Sequence, residues 1–397
     1  NIAKEKKSMK SLFTLSFLWA MSIGILIIPS LFPAPAYINV AGIILILSIY
    51  LSFDRIISFD SKFILYIVLY ISISCMLAYS DGIQNLFKQF LTLGLLAIVF
   101  KGSNRAQHIK LLKVYVIFCF LMSISGTLAS LLVNLEFISL DEFKVSLTDL
   151  TNRKFIWDED LEFGFTAPYG LGLVLTKGSS LYYFLGIPFY RSAGWSYEPT
   201  FAAFFVTPAL ILILIEELFT KRTRFFFGLG IIFFLICCFS VASMAALLVL
   251  YLIYSVMNKS KRSWKNIIIL FIITIAGFYL VDSYNSLKAS KPGIDIIESK
   301  LTDSSLSSLN IFVLTNSFQE LKYLISILIY VCLILSLSLP AFKDNGLSKS
   351  FGLIMTYFVI HSAKGSWYHT MTMNICFIFF LFLLNEIEIN KKSDRVR

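Results

Sequence analysis

The segment with the clearest chemical character spans residues 191–199 and reads RSAGWSYEP. The guanidinium of Arg191 presents a planar fork of N–H donors that matches the oxygens of a phosphate group. Trp195 and Tyr197 are aromatic groups that could stack on sugar faces or anchor the chain at a membrane interface. We therefore expect a site for an anionic, sugar-bearing ligand here. The alternative is an interfacial aromatic pair beside a structural ion pair between Arg191 and Glu198.

The end of this segment predicts the start of a helix. Proline is favoured in the first helical turn, where its missing N–H has no intrahelical partner to lose, and this suits Pro199. A carboxylate is stabilised near the positive end of a helix dipole, which suits Glu198 as a cap. The other candidate role for Glu198 is contact with the substrate, as a general base.

Later parts of the chain hold further groups that could bind an anion or exchange a proton. Lysine cations could stabilise a negatively charged group, and a histidine could serve as a general base. The alternative for His361 is a structural hydrogen bond to a backbone carbonyl, whereas three-residue spacing would place it beside Lys364 on a continuing helix. The candidates are Lys288, Lys291, Lys300, Lys364, His361 and His369.

The amino-acid composition indicates which class of protein must hold these groups. Hydrophobic residues make up 57% of the 397 residues and charged residues 15%, against roughly 45–50% and 25% in soluble domains. This excludes an ordinary soluble enzyme, a disordered chain and a disulfide scaffold, and it predicts a polytopic membrane protein. The net charge of +10 is explained by basic cytoplasmic loops, so a nucleic-acid partner is not needed.

Basic residues alternate with apolar runs along the chain, among them runs near 111–135, 198–217 and 225–241 with a turn near Ser240, and their positions predict the topology. Basic clusters on both sides of a long apolar run require an even number of crossings. This predicts an all-α protein of about twelve transmembrane helices with both termini cytoplasmic; ten or eleven remain if a short run is re-entrant. The predicted divisions are five helices in residues 1–135, an extracytoplasmic loop at 136–198, four helices in 199–281, a second extracytoplasmic loop at 282–322, and three helices with a cytoplasmic tail in 323–397.

The predicted spans are almost free of ionisable residues. Ion-coupled transporters usually carry such residues near mid-membrane, and the sequence also lacks Walker, HExxH and GxSxG motifs. Polar chemistry is therefore expected at the extracytoplasmic face.

The Arg-x-x-Gly-aromatic-x-x-Glu-Pro pattern, at the end of a long outward loop, resembles the Wzy-type O-antigen polymerase family. The small-residue turn at 240–246, SVASMAA, and the layout of two outward loops also match. The resemblance implies a membrane glycosyltransferase of GT-C-like architecture that needs no metal or other cofactor. Family members usually carry an arginine in the second outward loop, whereas this chain has only lysines there; either Lys300 replaces that arginine or the partner of Arg191 lies elsewhere.

The implied reaction joins oligosaccharide units carried on undecaprenyl diphosphate, at the outer side of a bacterial plasma membrane. Arg191 would bind the diphosphate, with His361 or His369 as the base. The implied partners are the lipid-linked oligosaccharide and the lipid membrane, with a chain-length regulator as a candidate protein partner. The alternatives are an O-antigen ligase that hands the polymer to lipid A core, a lipid-linked oligosaccharide flippase, and a nonenzymatic membrane scaffold.

Overall fold

The computed structural model describes residues 105–138, 144–145, 163–166, 173–177, 182–184, 187–196, 199–215, 218–238, 240 and 347–362, with single helical residues at 68, 247 and 332. The predicted hairpins before residue 105, the predicted loop at 282–322 and the C-terminal part from residue 363 therefore lie outside the described residues, apart from position 68.

Helix α1 spans Arg105–Asn134 and covers the apolar run predicted near 111–135 except for its last residue. Its segment Leu112–Asn134 has 23 residues and a mean hydropathy of 2.3, and it is about 34 Å long at 1.5 Å per residue. Within the described part of the chain, this is the one helix that is long and apolar enough to cross a bilayer. A buried core helix can meet the same criteria, so this helix alone does not set the number of crossings.

The C-terminus of α1 closes in a Schellman motif. The N–H of Glu136 donates to the carbonyl of Val133 at 3.1 Å, and the N–H of Phe137 donates to the carbonyl of Leu132 at 2.9 Å. These bonds satisfy carbonyls that a helix end otherwise leaves without partners. The motif requires a left-handed residue, and Glu136 takes that position with φ of 59°.

Among the described residues that follow α1, in the stretch predicted as an outward loop, six short strands are present. They are β1 Lys144–Val145, β2 Phe163–Thr166, β3 Leu173–Lys177, β4 Tyr182–Phe184, β5 Ile187–Phe189 and β6 Arg191–Gly194. One antiparallel sheet has the order β1-β2-β3-β6, and β4 pairs with β5. Short runs of aromatic and β-branched residues favour this pairing. The glycine-rich sequence around them hides the pattern from which strands are predicted. The all-α prediction omits these strands.

Helices α2 (Pro199–Ile215) and α3 (Lys221–Cys238) follow β6. Helix α2 begins at Pro199, as predicted. Helix α3 begins four residues before the apolar run predicted at 225, because Thr220 caps it: the Oγ1 of Thr220 accepts from the N–H of Thr223 at 3.3 Å. The end of α3 at Cys238 lies just before the turn predicted near Ser240.

Helices α1 and α3 run side by side in the same direction. The rings of Phe120 and Phe227 stack with centroids 4.3 Å apart, and one helical turn later Gly230 lies against the Phe120 ring. A Cβ at Gly230 would meet that ring at 2.7 Å, so the glycine sets how closely the two helices approach.

Helix α2 packs on the start of α1 and on α4 (Leu347–Ser362). Pro208 lies inside α2 and removes one helical N–H donor. The hydroxyl of Tyr115 donates to the carbonyl of Phe205 at 2.5 Å, in the turn that precedes the proline. On the other side of α2, the ring centroids of Phe204 and Phe358 are 4.9 Å apart.

Candidate functional site

Strand β6 carries Arg191 and lies among α1, α2 and α3, and it is also the last strand of the four-stranded sheet. Ser192 and Ala193 are fully buried. A strand in such a position must have its backbone polar groups satisfied by neighbours rather than by water. The contacts that satisfy them define the geometry of the site.

The strand is attached to the end of α1 at Tyr190. The Oδ1 of Asn134 accepts from the N–H of Tyr190 at 2.7 Å, and its Nδ2 lies 3.2 Å from the Tyr190 carbonyl. The hydroxyl of Ser130 donates to the same carbonyl at 3.2 Å. The Tyr190 side chain packs against Ala129 and Val133. Both the backbone and the side chain of Tyr190 are therefore held by the last two turns of α1.

Arg191 follows directly and contacts the end of α3. Its Nε donates to the carbonyl of Cys238 at 2.9 Å. The last carbonyls of a helix lack intrahelical donors and lie at the negative end of the helix dipole, so a guanidinium there is favourable. The sequence predicted a structural ion pair with Glu198 as one alternative for Arg191, whereas this contact is with a helix-end carbonyl, and it places the cation where α1, α3 and β6 meet.

The middle of β6 is in close contact with Gly126 of α1. The hydroxyl of Ser192 donates to the Gly126 carbonyl at 2.9 Å, and a Cβ on Gly126 would lie 2.9 Å from the Cα of Gly194. Gly194 has φ of 57°, and a Cβ there would meet the Cζ of Phe234 at 2.8 Å. The glycine of the Arg-x-x-Gly pattern is thus required both by its conformation and by its contact with Phe234.

A turn then leads from β6 toward α2. The N–H of Ser196 donates to the Ala193 carbonyl at 2.9 Å, and the Trp195 ring packs edge-on against Phe118 with centroids 5.2 Å apart. Ser196 is fully buried, and its hydroxyl has no hydrogen-bond partner among the described residues. A buried hydroxyl without a partner costs free energy, so it marks a position that calls for a physical reason.

The structure places two of the predicted site residues in detail: Arg191 begins β6, and Trp195 lies in the turn directly after it. His361 lies in the last turn of α4, and its side chain is outside the described residues. The remaining predicted site residues also lie outside the described part: Tyr197, Glu198, Lys288, Lys291, Lys300, Lys364 and His369. The predicted alternatives for Glu198 and His361 therefore stay predictions.

The sequence analysis missed the residues that hold Arg191 in place, chiefly Asn134, Gly126 and Phe234. Asn134 carried a usable signal, since a carboxamide that ends a long apolar run needs hydrogen-bond partners. Gly126 and Phe234 carried none, because a glycine or a phenylalanine in an apolar helix does not reveal which strand it contacts.

Within the described residues, no group of three or more His, Cys, Asp or Glu side chains is placed to hold a metal ion. Comparison with known proteins finds no matching family model, no matching curated protein and no matching solved structure.

Proposed function

We propose that the protein polymerises lipid-linked oligosaccharide units at the extracytoplasmic face of a bacterial plasma membrane, with Arg191 binding the diphosphate of the lipid carrier. In this reaction the acceptor hydroxyl oxygen forms a bond to the anomeric carbon of the donor. The bond from that carbon to the carrier diphosphate breaks, and the hydroxyl proton goes to a base. The carrier leaves as its diphosphate, whose charge Arg191 stabilises.

The observation that carries this proposal is the placement of Arg191 at the start of β6. The guanidinium lies beside the end of α3, in a segment attached to α1 by Asn134 and Ser130. A cation whose backbone is held by three elements is pre-organised, and pre-organised charges stabilise transition states without reorganisation at the moment of reaction. The same segment contains the pattern that resembles the Wzy-type family.

The test replaces Arg191 and measures polymer length. Arg191→Ala should remove long-chain polymer and leave single lipid-linked units. Arg191→Gln keeps an N–H donor for the Cys238 carbonyl but loses the charge, so equal loss of polymer in both variants points to the charge. Arg222→Ala is the matched control, because Arg222 is exposed at the start of α3. Polymer of normal length in Arg191→Ala, with the protein present in the membrane, contradicts the proposal.

The O-antigen ligase remains the second candidate, since the resemblance and the Arg191 contacts fit both reactions. A deletion strain distinguishes them by what accumulates. Single units on the lipid carrier identify a polymerase, and full-length polymer on the lipid carrier identifies a ligase. A strain in which neither accumulates contradicts both reactions and returns the flippase and the scaffold to consideration.

A further inference from the structure

The position of β6 along α1 is fixed at three points. Tyr190 lies at Asn134, Gly194 lies against Gly126, and the Trp195 ring packs on Phe118. The strand therefore runs antiparallel to α1, from its C-terminal end toward its middle. Gly126 precedes Asn134 by eight residues, which is about 12 Å along a helix axis at 1.5 Å per residue.

The helix that β6 follows has the dimensions of a membrane span. Leu112–Asn134 is about 34 Å long, against about 30 Å for the hydrocarbon core of a bilayer. Gly194 then lies about a third of the way into that length from the Asn134 end. An extended segment at such a depth is tolerated in a membrane only where it is buried in protein and its backbone groups are paired.

Strand β6 and its turn meet this condition. Ser192, Ala193 and Ser196 are fully buried among the three helices. Within the segment, Tyr190 is paired with Asn134, and the N–H of Ser196 is paired with the Ala193 carbonyl. The segment is therefore compatible with bilayer depth in a way that an exposed loop is not.

The outer faces of α1 and α3 indicate what surrounds this assembly. Large apolar side chains are exposed along both helices, and they recur on α1 at intervals of three and four residues, so they form one face. Exposed apolar faces of this length on two adjacent helices require a covering partner. The exposed residues are Ile117, Leu121, Ile124, Leu128 and Leu131 on α1, Leu135 directly after it, and Phe225, Phe226, Leu229, Ile232, Phe233 and Ile236 on α3.

Charge favours lipid over a second protein as that partner. The start of the apolar segment of α1 lies beside the start of α3, since the ammonium of Lys113 lies 6.0 Å from the Phe219 ring. Lys221 and Arg222 are exposed at this same end, and the Arg222 guanidinium lies 5.9 Å from the exposed Phe226 ring. Cations above an apolar band match the phosphate headgroups and hydrocarbon of a bilayer leaflet.

We propose that residues 190–196 form a re-entrant segment that carries the chain from the membrane surface into the bilayer beside α1, together with the end of β3 that pairs with it at Leu173 and Leu175. Helix α2 then begins inside the membrane, and the partner of the exposed α1 and α3 faces is lipid hydrocarbon. This moves the inner boundary of the predicted outward loop from residue 198 to about residue 190 and places Arg191 at the membrane boundary. The inference does not depend on the proposed reaction.

Depth measurements test the inference directly. The full chain, with its six cysteines replaced by alanine or serine, is reconstituted in liposomes with single spin labels at Leu121→Cys, Leu128→Cys, Leu135→Cys or Trp195→Cys. Oxygen concentrates in hydrocarbon and a nickel chelate in water. The ratio of the label's collision rate with oxygen to its collision rate with the chelate therefore rises with depth in the bilayer. We expect the ratio to rise from position 135 to 128 to 121, and the label at 195 to match position 121 or 128 rather than 135.

Three results would overturn the inference. A label at 195 that reads as aqueous while position 121 reads as deep would remove the re-entrant segment. Aqueous readings at all three α1 positions would take α1 out of the bilayer. Exclusion of both oxygen and the nickel chelate along α1 would show that another protein surface, such as a second copy, covers that face. Melting curves in detergent confirm beforehand that each labelled variant is folded.

Discussion

The side-chain amide of Asn134 pairs with both the N–H and the carbonyl of Tyr190, at 2.7 and 3.2 Å. Tyr190, the residue before Arg191, thus forms with one side chain the two backbone hydrogen bonds that a neighbouring strand would otherwise supply. Since Ser130 also donates to the Tyr190 carbonyl, the last two turns of α1 fix the position of the backbone that leads into Arg191.

Asn134→Leu keeps a similar side-chain volume and removes both bonds to Tyr190. We expect the free energy of unfolding to fall by roughly 1–3 kcal/mol, because the part-buried polar groups of Tyr190 lose their partners. We also expect activity to fall, because Arg191 loses its fixed position. Denaturant unfolding and polymer length measure the two effects. The control is Ser125→Ala, which removes a local bond within the same helix. Unchanged stability and activity in Asn134→Leu would show that Ser130 alone fixes Tyr190.

Gly194→Ala should be strongly destabilising for two separable reasons. The left-handed backbone costs a non-glycine residue roughly 1–2 kcal/mol, and the new Cβ would meet the Phe234 ring at 2.8 Å, which adds roughly 1–3 kcal/mol of overpacking. The melting temperature and the amount of folded protein report the loss. The double variant Gly194→Ala/Phe234→Leu should recover only the packing part. Complete recovery would mean that the backbone conformation is not strained.

Glu136→Gly should stabilise the protein by about 1 kcal/mol. Glu136 has φ of 59° at the position of the Schellman motif where glycine has no steric penalty. Its side chain is exposed, so the substitution leaves the core unchanged. Glu136→Ala is the matched control, since it removes the same charge but keeps a Cβ in the left-handed region. A gain of stability in both variants would assign the effect to charge instead of backbone conformation.

Ser196→Ala distinguishes a structural hydroxyl from one that contacts substrate. The Ser196 hydroxyl is buried without a partner among the described residues, so its removal should leave the free energy of unfolding unchanged or raise it by up to about 1 kcal/mol. If the hydroxyl serves the ligand, KM for the lipid-linked unit rises while stability does not fall. Marked destabilisation, by contrast, would show that the hydroxyl has a structural partner in the folded protein.

The local elements with a periodic or capping signal were predictable. Helix α1 covers the apolar run near 111–135 except for its last residue, and Pro199 begins α2. The strands were not predictable, because strands of two to five residues are too short to show an alternating apolar pattern in a glycine- and aromatic-rich stretch. The early start of α3 follows from Thr220, a capping signal present in the sequence that the charge-based division of the chain passed over.

The site was predictable in part, for a physical reason. Arg191 and Gly194 belong to one contiguous pattern, so their chemistry and conformational demands can be read locally. Their partners come from distant positions: Cys238 contributes a backbone carbonyl, and Gly126 contributes close approach. Neither contribution depends on a recognisable side chain, and a single sequence carries no signal for backbone contacts between remote segments.

The contact between Arg191 and Cys238 also has a consequence for biogenesis. The two residues are 47 positions apart, and α2 and the rest of α3 lie between them. During synthesis, β6 can meet α1 as soon as it emerges, but Arg191 has no Cys238 carbonyl to bind until α3 is complete. The order of synthesis therefore makes the Arg191–Cys238 bond a late contact between β6 and α3, and a chain that stalls before residue 238 would present the guanidinium without this helix-end acceptor.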